Sequence, residues 1–232
     1  MVSAIIVAAG SSVRMNGVNK QLEKIGDTPV FVMSALKFDR SEKVGEVIIA
    51  APAGDEARYE KLARNFGVTK LAAVVAGGET RMQSVKNALA AVSAKADYIA
   101  VHDGARPLIE TADIERVIAD AEKFNAAIAA VPAVDTIKTV GSNGFVESTP
   151  PRGGLYYAQT PQVFQKKLYL SCLEKADKTA LENVTDDSSV LELCGEYVKI
   201  TEISGCNMKI TRAEDLTAAE AVYRNKRTIK AV

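Results

Sequence analysis

The order of apolar and polar positions along the chain predicts an α/β protein. Short, almost wholly apolar runs alternate with segments in which apolar residues recur every three or four positions. The first kind of segment is typical of buried strands and the second of helices. Because the strand segments are apolar at successive positions, both of their faces should be buried. We therefore expect a mostly parallel sheet with helices on both faces.

The pattern places six strands and seven helices, and a helical pattern is also expected to resume after Pro161. Thr111 is the predicted N-cap of one helix. No linker divides the chain, so residues 1–232 are expected to form a single domain. The predicted strands are Ser3–Val7, Glu46–Ala50, Leu71–Val75, Tyr98–Val101, Ala127–Val131 and Tyr197–Ile203. The predicted helices are Pro29–Phe38, Asp55–Phe66, Thr80–Val92, Asp113–Phe124, Lys167–Lys175, Asp186–Leu193 and Arg212–Tyr223.

Residues 135–157 interrupt this alternation and predict an inserted β-hairpin arm. Two extended runs, Thr136–Val140 and Phe145–Ser148, flank an Asn-Gly turn, which is the strongest local signal for a hairpin. A hairpin of this size is marginal in water by itself. It should pack on something else, and a neighbouring subunit is the obvious candidate, with a simple surface flap as the alternative.

Composition and charge exclude several classes of protein. The 232 residues are 47% apolar, and 29 basic residues balance 29 acidic ones. A balanced charge argues against a nucleic-acid partner or a membrane surface, and no apolar run reaches the length of a membrane span. Without a signal-peptide pattern at the amino terminus, the protein is expected to be cytoplasmic. Three widely spaced cysteines predict structural thiols rather than a disulfide framework or a zinc site.

The first strand runs into a segment that is typical of a phosphate-binding loop. Ala8, Ala9 and Gly10 carry almost no side chain, so the backbone can approach a ligand closely, and Arg14 and Lys20 add two positive charges nearby. This combination suits a triphosphate. The chain has neither a P-loop nor a GxGxxG motif. An ordinary loop between strand and helix, with two solvated cations, is the alternative interpretation.

A second polar cluster follows the strand Tyr98–Val101. Asp103 should lie beside the first loop, because parallel strands end at one edge of the sheet, and a carboxylate there can hold Mg²⁺ that bridges phosphate oxygens. Asp103 could instead cap the following turn. His102, the single histidine of the chain, is expected to be a structural residue at the strand end.

Two further segments are weaker candidates for ligand contacts. A glycine pair ending at Gly78 leads into a predicted helix, and its N–H groups together with the Ser84 hydroxyl suit recognition of a base edge or a ribose. Near the carboxyl terminus, Thr211 and Glu214 fit a capping box. Lys209 has no capping use there, which favours a role in ligand binding.

Six motifs, in this order and spacing, resemble the 2-C-methyl-D-erythritol 4-phosphate cytidylyltransferase family. The resemblance covers essentially the whole chain. It implies a Rossmann-like nucleotidyltransferase domain and a projecting β-arm that builds a homodimer. It also implies transfer of CMP from CTP to the phosphate of methylerythritol phosphate, with release of diphosphate and with assistance from Mg²⁺. The motifs are AAGSSVRM with the following KQ, GGETRMQSV, VHDGARP, PRGGLYYAQTPQVF, TDDSSVLE and NMKITRAEDL.

The resemblance also implies roles for individual residues. Arg14 and Lys20 match the cations that stabilise charge at the α-phosphate, and Arg152 and Lys209 match those that position methylerythritol phosphate. Asp103 matches the aspartate near the metal and the substrate. The residues that match positions around the cytidine triphosphate are Ala8, Ala9, Gly10, Gly78 and Ser84, and those near the substrate phosphate are Thr136 and Arg106. Among the departures from the family pattern, Glu79 stands where aspartate is frequent.

The chemistry of such a reaction agrees with the residues present. A phosphate monoester is already an anionic nucleophile at neutral pH, so no general base or covalent intermediate is required. The nearest alternative is ribitol 5-phosphate cytidylyltransferase, which the Gly104-Ala105 pair disfavours. The absence of GxGxxG disfavours a dinucleotide-dependent oxidoreductase, and the matching charged residues disfavour a catalytically silent binding module.

Overall fold

A computed structural model of the protein describes residues 1–10, 19–176 and 184–230. Its strands in chain order are β1 (Val2–Val7), β2 (Lys24–Ile25), β3 (Thr28–Pro29), β4 (Val44–Ala51), β5 (Leu71–Ala76), β6 (Tyr98–Asp103), β7 (Ala126–Pro132), β8 (Thr139–Val140), β9 (Val146–Ser148), β10 (Tyr156–Gln165) and β11 (Lys199–Glu202). Its helices are α1 (Val30–Asp39), α2 (Glu56–Asn65), α3 (Arg81–Leu89), α4 (Thr111–Phe124), α5 (Lys166–Lys175), α6 (Ser188–Leu193) and α7 (Ala213–Lys230). The alternation confirms the predicted α/β class.

Seven of the described strands form one sheet in the order β11-β7-β10-β6-β1-β4-β5. β1 lies parallel to both β4 and β6, β5 is parallel to β4, and β11 is parallel to β7. The chain first adds β4 and β5 on one side of β1 and then returns to place β6 on the other side. Ligands of open α/β sheets bind outside the carboxyl ends of the strands where the order reverses in this way.

Both faces of the sheet are buried, as the apolar strand segments predicted. In β1, Ala4 and Ile6 contribute to a core with α1, α2 and α4, whereas Ile5 faces β4 and α3 on the opposite side. A further cluster packs α3, α5 and α6 against β6 and β7. The three residues of β1 are fully buried, so its carboxyl end has a rigid position at the edge of the sheet.

The expectation of a helical pattern directly after Pro161 is wrong, because β10 continues through this segment to Gln165. β10 is antiparallel to β6 and β7, and its Val163 and Phe164 are fully buried between them. The register shifts between Ala158 and Gln162, where the proline stands. The partner strands come from distant parts of the chain, so the local pattern did not show that this segment completes the sheet.

The predicted hairpin arm is present, although its strands are shorter than expected. They are β8 and β9, so Thr136 precedes the first strand instead of beginning it. Gly144 has a φ of +82°, a conformation that glycine adopts without strain, and this explains the turn. Val140, Phe145 and Val146 are 56%, 74% and 60% exposed. The arm therefore presents an apolar surface outside the core of its own chain.

Two predicted helix starts differ from the structure. Thr111 is the first residue of α4 rather than its N-cap, which is Glu110, and the Thr111 hydroxyl donates a hydrogen bond to the carbonyl of Lys37 instead. At the start of α7 the acceptor is Asp215, not Glu214 as expected. The Asp215 carboxylate accepts hydrogen bonds from the backbone N–H and the hydroxyl of Thr211, and from the N–H of the next residue.

Among the described helices, none has the length and apolar character needed to cross a membrane.

Candidate active site

Seven of the twelve predicted site residues line a cavity of about 380 Å³ at the carboxyl ends of β1 and β6. A second cavity of about 510 Å³ adjoins it, and both share Ala9, Gly10, Gly78 and Glu79 in their walls. The two cavities together offer room for an elongated ligand along the sheet edge. The predicted residues that line the first cavity are Ala9, Gly10, Lys20, Gly78, Ser84, Asp103 and Lys209.

Backbone hydrogen bonds join the loops that form the cavity. Ala8 donates from its N–H to the carbonyl of Ala50, and Gly104 donates to the carbonyl of Val7. A Cβ at Gly77 would lie 2.1 Å from the Cβ of Ala9, so only glycine lets these two loops pack so closely. Ala8 is fully buried beneath the cavity, and its small side chain supports the loop from behind.

Ser84 holds the glycine turn together. Its Oγ accepts a hydrogen bond from the N–H of Gly78 at 3.0 Å and donates one to the carbonyl of Thr80 at 3.0 Å. The Ser84 side chain is buried, with 2% of the residue exposed. The Ser84 hydroxyl was predicted to contact a base or a ribose, but it already has two hydrogen-bond partners within the protein. Through these bonds it fixes the conformation of the turn that contains Gly78.

Asp103 lies at the centre of a charged cluster on the cavity floor. Its Oδ1 accepts from Nε of Arg81 at 3.2 Å, and its Oδ2 accepts from Nζ of Lys209 at 2.8 Å. Arg106 places its Nε 3.5 Å from Oδ2, an ion-pair distance without hydrogen-bond geometry. The carboxylate does not cap the following turn, where the backbone carbonyl of Asp103 accepts from the N–H of Arg106 instead.

The electrostatic balance keeps Asp103 ionised. Burial by itself would raise the pKa of Asp103, but Arg81, Lys209 and Arg106 outweigh it and hold that pKa well below its ordinary value. Burial lowers the pKa of Arg106, although Asp103 opposes this effect. Burial would also lower the pKa of Arg81, but Asp187 and Asp103 raise it above its usual range. The cluster therefore holds three cations, Arg81, Arg106 and Lys209, against two carboxylates, Asp103 and Asp187.

Arg81 and Asp187 have functional contacts that were not predicted from the sequence, although both residues lie in motifs typical of the family. Nη1 of Arg81 donates to Oδ2 of the fully buried Asp187 at 2.6 Å, while its Nε binds Asp103. Arg81 is the first residue of α3, where the helix dipole disfavours a positive charge. An arginine at this unfavourable position is the feature of the sequence that could have indicated acidic partners nearby.

His102 is a structural residue, as the sequence predicted. Its Nδ1 pairs with the hydroxyl of Thr160 at 3.0 Å, and its Nε2 pairs with the carbonyl of Arg106 at 3.2 Å. The ring lies 4.9 Å from that of Phe38, measured between centroids. Burial lowers the pKa of His102 to about 4, so the imidazole is neutral at physiological pH. It fixes the segment that carries Asp103 and Arg106.

The remaining predicted residues are not among the described residues that line this cavity. Arg106 donates from Nη1 to the carbonyl of Asn207, which ties its loop to the segment of Lys209. Thr136 and Arg152 are exposed on and beside the arm, and neither is among the described residues that line the cavity. Nη1 of Arg152 donates to the carbonyl of Val134. Arg14 falls outside the residues that the structure describes.

The acidic groups of the site suit Mg²⁺ held jointly with phosphates. The described residues contain no group of three acidic, histidine or cysteine side chains that could hold a metal ion by themselves. Mg²⁺ is commonly bound through one or two carboxylates together with substrate phosphates. Asp103 on the cavity floor meets that requirement, because its ionised carboxylate stands beside the loops that would receive a triphosphate.

A mostly parallel α/β sheet with small-residue loops, cations and a carboxylate at its switch point is the arrangement expected of a nucleotidyltransferase. A family model described as 2-C-methyl-D-erythritol 4-phosphate cytidylyltransferase matches residues 2–225. The chain belongs to this family.

Individual relatives agree with that membership. An enzyme of this name from Caldanaerobacter subterraneus is 41% identical over 96% of this chain and 99% of its own. One from Geobacillus kaustophilus is 38% identical over 96% and 97%. The crystal structure of 4-diphosphocytidyl-2C-methyl-D-erythritol synthase from Anaerococcus prevotii has a TM-score of 0.84 and 30% identity, and covers 97% of this chain and 98% of that one.

Proposed function

We propose that this protein transfers CMP from CTP to the phosphate of 2-C-methyl-D-erythritol 4-phosphate, which yields 4-diphosphocytidyl-2-C-methyl-D-erythritol and diphosphate. Family membership supports this reaction. The observation that carries the assignment of the site is the charged cluster in which Asp103 is ion-paired with Arg81, Arg106 and Lys209, beside the loops that contain Gly10 and Gly78. Such a surface suits the binding of phosphates.

The reaction needs two anions to be aligned and the developing charge to be neutralised. Lys20 lines the cavity and, with Arg14, would stabilise charge at the α-phosphate. Lys209 would position the substrate phosphate, which attacks the α-phosphorus as diphosphate leaves. Its side chain is 39% exposed and flexible, so its ammonium group can leave Asp103 for a phosphate oxygen with little rearrangement of the fold.

Asp103 would hold Mg²⁺, which when bound neutralises phosphate charge during the transfer. Ala8, Ala9, Gly10, Gly78 and Ser84 would form the surroundings of the nucleotide, either directly or by shaping its loops. The adjoining cavity, between Gly78 and Pro52, has room for the nucleoside. Arg106 would contribute near the substrate phosphate.

The arm would complete the active site of a second subunit. Arg152 and Thr136 do not line the described cavity of their own chain, and the arm exposes Val140, Phe145 and Val146. A homodimer that covers these apolar side chains would bring Arg152 and Thr136 of one subunit to the substrate of the other. Residues 135–157 would therefore serve as both a dimerisation element and a part of the site.

Release of diphosphate tests the proposed reaction. The purified protein should release it with CTP, Mg²⁺ and methylerythritol 4-phosphate, and far less with ribitol 5-phosphate as the acceptor. A preference for ribitol 5-phosphate would contradict the substrate assignment, and no release with either acceptor would contradict the proposed activity. The cytoplasmic location expected from the sequence stays a prediction, which cell fractionation can check.

A further inference from the structure

The motif TDDSSVLE has no role in the reaction as described so far, yet one of its carboxylates reaches the active site through a single side chain. Asp187 is fully buried, and its Oδ2 accepts a hydrogen bond from Nη1 of Arg81 at 2.6 Å. The same guanidinium binds Asp103 through Nε. Arg81 is therefore held between a carboxylate in the core and the carboxylate on the cavity floor.

The side chain of Asp187 binds Arg81 and does not serve as a helix cap. It precedes α6 but makes no capping hydrogen bond with its side chain. Its Oδ1 accepts from the hydroxyl of Tyr169 at 2.9 Å, and the Tyr169 ring stacks on Phe164 of β10 at 5.0 Å between centroids. A buried carboxylate is costly unless it is paired, and Arg81 with Tyr169 provides that pairing. Asp187 and Tyr169, which together anchor Arg81, are thus part of the core that packs on the sheet.

The three cations around Asp103 are held to different degrees. Lys209 is 39% exposed and is proposed to leave Asp103 for a substrate phosphate. Arg106 contacts Asp103 at ion-pair distance only, and its Nη1 binds a backbone carbonyl. Among the described residues, Arg81 is the one of the three that also binds a second carboxylate, that of Asp187. Arg81 can therefore keep Asp103 in place while phosphates attract the other two.

We propose that Asp187 is a positioning residue of this enzyme, which acts through Arg81 to hold the carboxylate of Asp103 in its reactive orientation. Tyr169 is the second element of the anchor, because its hydroxyl orients Asp187. The inference rests on the proposed role of Asp103 in the transfer. Loss of the anchor leaves Arg81 free to follow the phosphates, which displaces Asp103 when the transition state needs it.

The test compares two neighbouring carboxylates of the same motif. Asp187→Asn keeps the shape of the side chain and removes the charge that anchors Arg81. Asp186→Asn is the matched control, since the Asp186 carboxylate binds Gln162, Ser188 and Ser189 instead of Arg81. With the wild type active, Asp187→Asn should lower kcat at least tenfold while each KM changes less than about threefold. Asp186→Asn should lower kcat less than threefold, even if its melting temperature falls as much.

Equal losses of kcat in the two variants would overturn the proposal, because they would reflect general loosening of α6. A rise in KM with unchanged kcat for Asp187→Asn would overturn it too. If Asp187→Asn does not fold, Tyr169→Phe decides, because it keeps the ring stack on Phe164 and removes the hydroxyl alone. A kcat at least threefold lower, with unchanged KM, is expected there, and a kcat equal to that of the wild type contradicts the anchor.

A measurement without catalysis separates this inference from the proposed function. The Nε–H of Arg81 gives its own signal in ¹⁵N spectra, and its exchange with water reports how firmly the guanidinium is held. Exchange should be at least tenfold faster in Asp187→Asn or Tyr169→Phe than in the wild type and Asp186→Asn. Equal exchange rates would refute the anchor whether or not the protein transfers CMP, whereas a failure of diphosphate release alone would refute only the function.

Discussion

At the scale of single residues, the charged cluster around Asp103 is the main feature of the candidate site. One carboxylate receives Arg81, Lys209 and Arg106, and the neighbouring His102 remains neutral. This excess of positive charge suits a ligand with several negative charges. Individual residues of the site can be told apart by experiment, because substitutions at His102, Lys20 and Asp103 should change different measurable properties.

Neutral, buried His102 makes stability depend on pH. Its pKa is about 4 in the folded protein and about 6.5 when unfolded, so only the unfolded state takes up the proton between these values. Stability should fall as pH decreases through this window and level off, as far as this group is concerned, below it. The free energy of unfolding should be about 2 kcal/mol lower at pH 5 than at pH 7.

Urea denaturation at the two pH values measures this difference. The His102→Gln variant, which cannot gain the proton, should lose most of the change between pH 7 and pH 5. An equal decrease in the variant and the wild type would show that other groups are responsible. Unfolded carboxylates are largely ionised at pH 5, so their contribution in this window is small.

Lys20→Ala should lower kcat about a hundredfold, with a much smaller effect on KM for methylerythritol phosphate. Removal of one preorganised charge that acts mainly in the transition state costs on the order of 3 kcal/mol. Steady-state kinetics with both substrates varied provide the measurement. A variant with the kcat of the wild type would remove Lys20 from its proposed role. The sequence-based prediction for Arg14→Ala is the same.

Asp103→Asn should fold but lose activity that depends on magnesium. The amide keeps the shape of the carboxylate but not its charge, so Mg²⁺ loses its protein ligand. Circular dichroism and a magnesium titration of the rate separate the possible outcomes. An unfolded variant would favour a mainly structural role for Asp103, and full activity at ordinary magnesium concentration would remove it from the metal site.

At the scale of elements, most helices and strands could be predicted because burial leaves a periodic pattern in the sequence. α2 and β4 begin and end within two residues of their predicted positions. The residue that caps the start of α7 was not predicted correctly. Two adjacent acidic residues follow Thr211, and the usual spacing of a capping box favoured Glu214. The helix uses Asp215, whose carboxylate reaches three donors.

Asp215→Ala should lower the free energy of unfolding by about 1 kcal/mol, which is the usual effect of losing a helix cap. Glu214→Ala is the matched control, because the two residues are adjacent and Glu214 is exposed. Thermal or urea unfolding of both variants supplies the comparison. A larger loss in Glu214→Ala would mean that the capping box predicted from the sequence exists in solution.

At the scale of the whole molecule, the proposed contribution of the arm to a second subunit's active site can be tested. If Arg152 serves the neighbouring subunit, Lys20→Ala and Arg152→Ala chains should complement each other. A mixed dimer would hold one site with both lesions and one with neither. Random reassembly of equal amounts makes about half of the dimers mixed, so about a quarter of all sites should be wild type.

Two nearly inactive proteins, dissociated and reassembled together, should therefore regain about a quarter of the wild-type activity. Differently tagged chains and gel filtration show whether exchange has taken place. Mixed dimers with no more activity than either parent would mean that Arg152 acts in its own subunit. A protein that remains monomeric would contradict the dimer itself.

The sequence by itself determined the α/β class, the hairpin arm, and the small, charged residues at the strand ends. These features are local, because burial and turn geometry act on neighbouring residues and leave patterns within a few positions. Only the tertiary structure decided that Arg81 bridges Asp103 and Asp187, the latter 106 positions away. It also decided that β10 enters the sheet between β6 and β7. Contacts of this kind depend on how distant segments meet, which no local periodicity records.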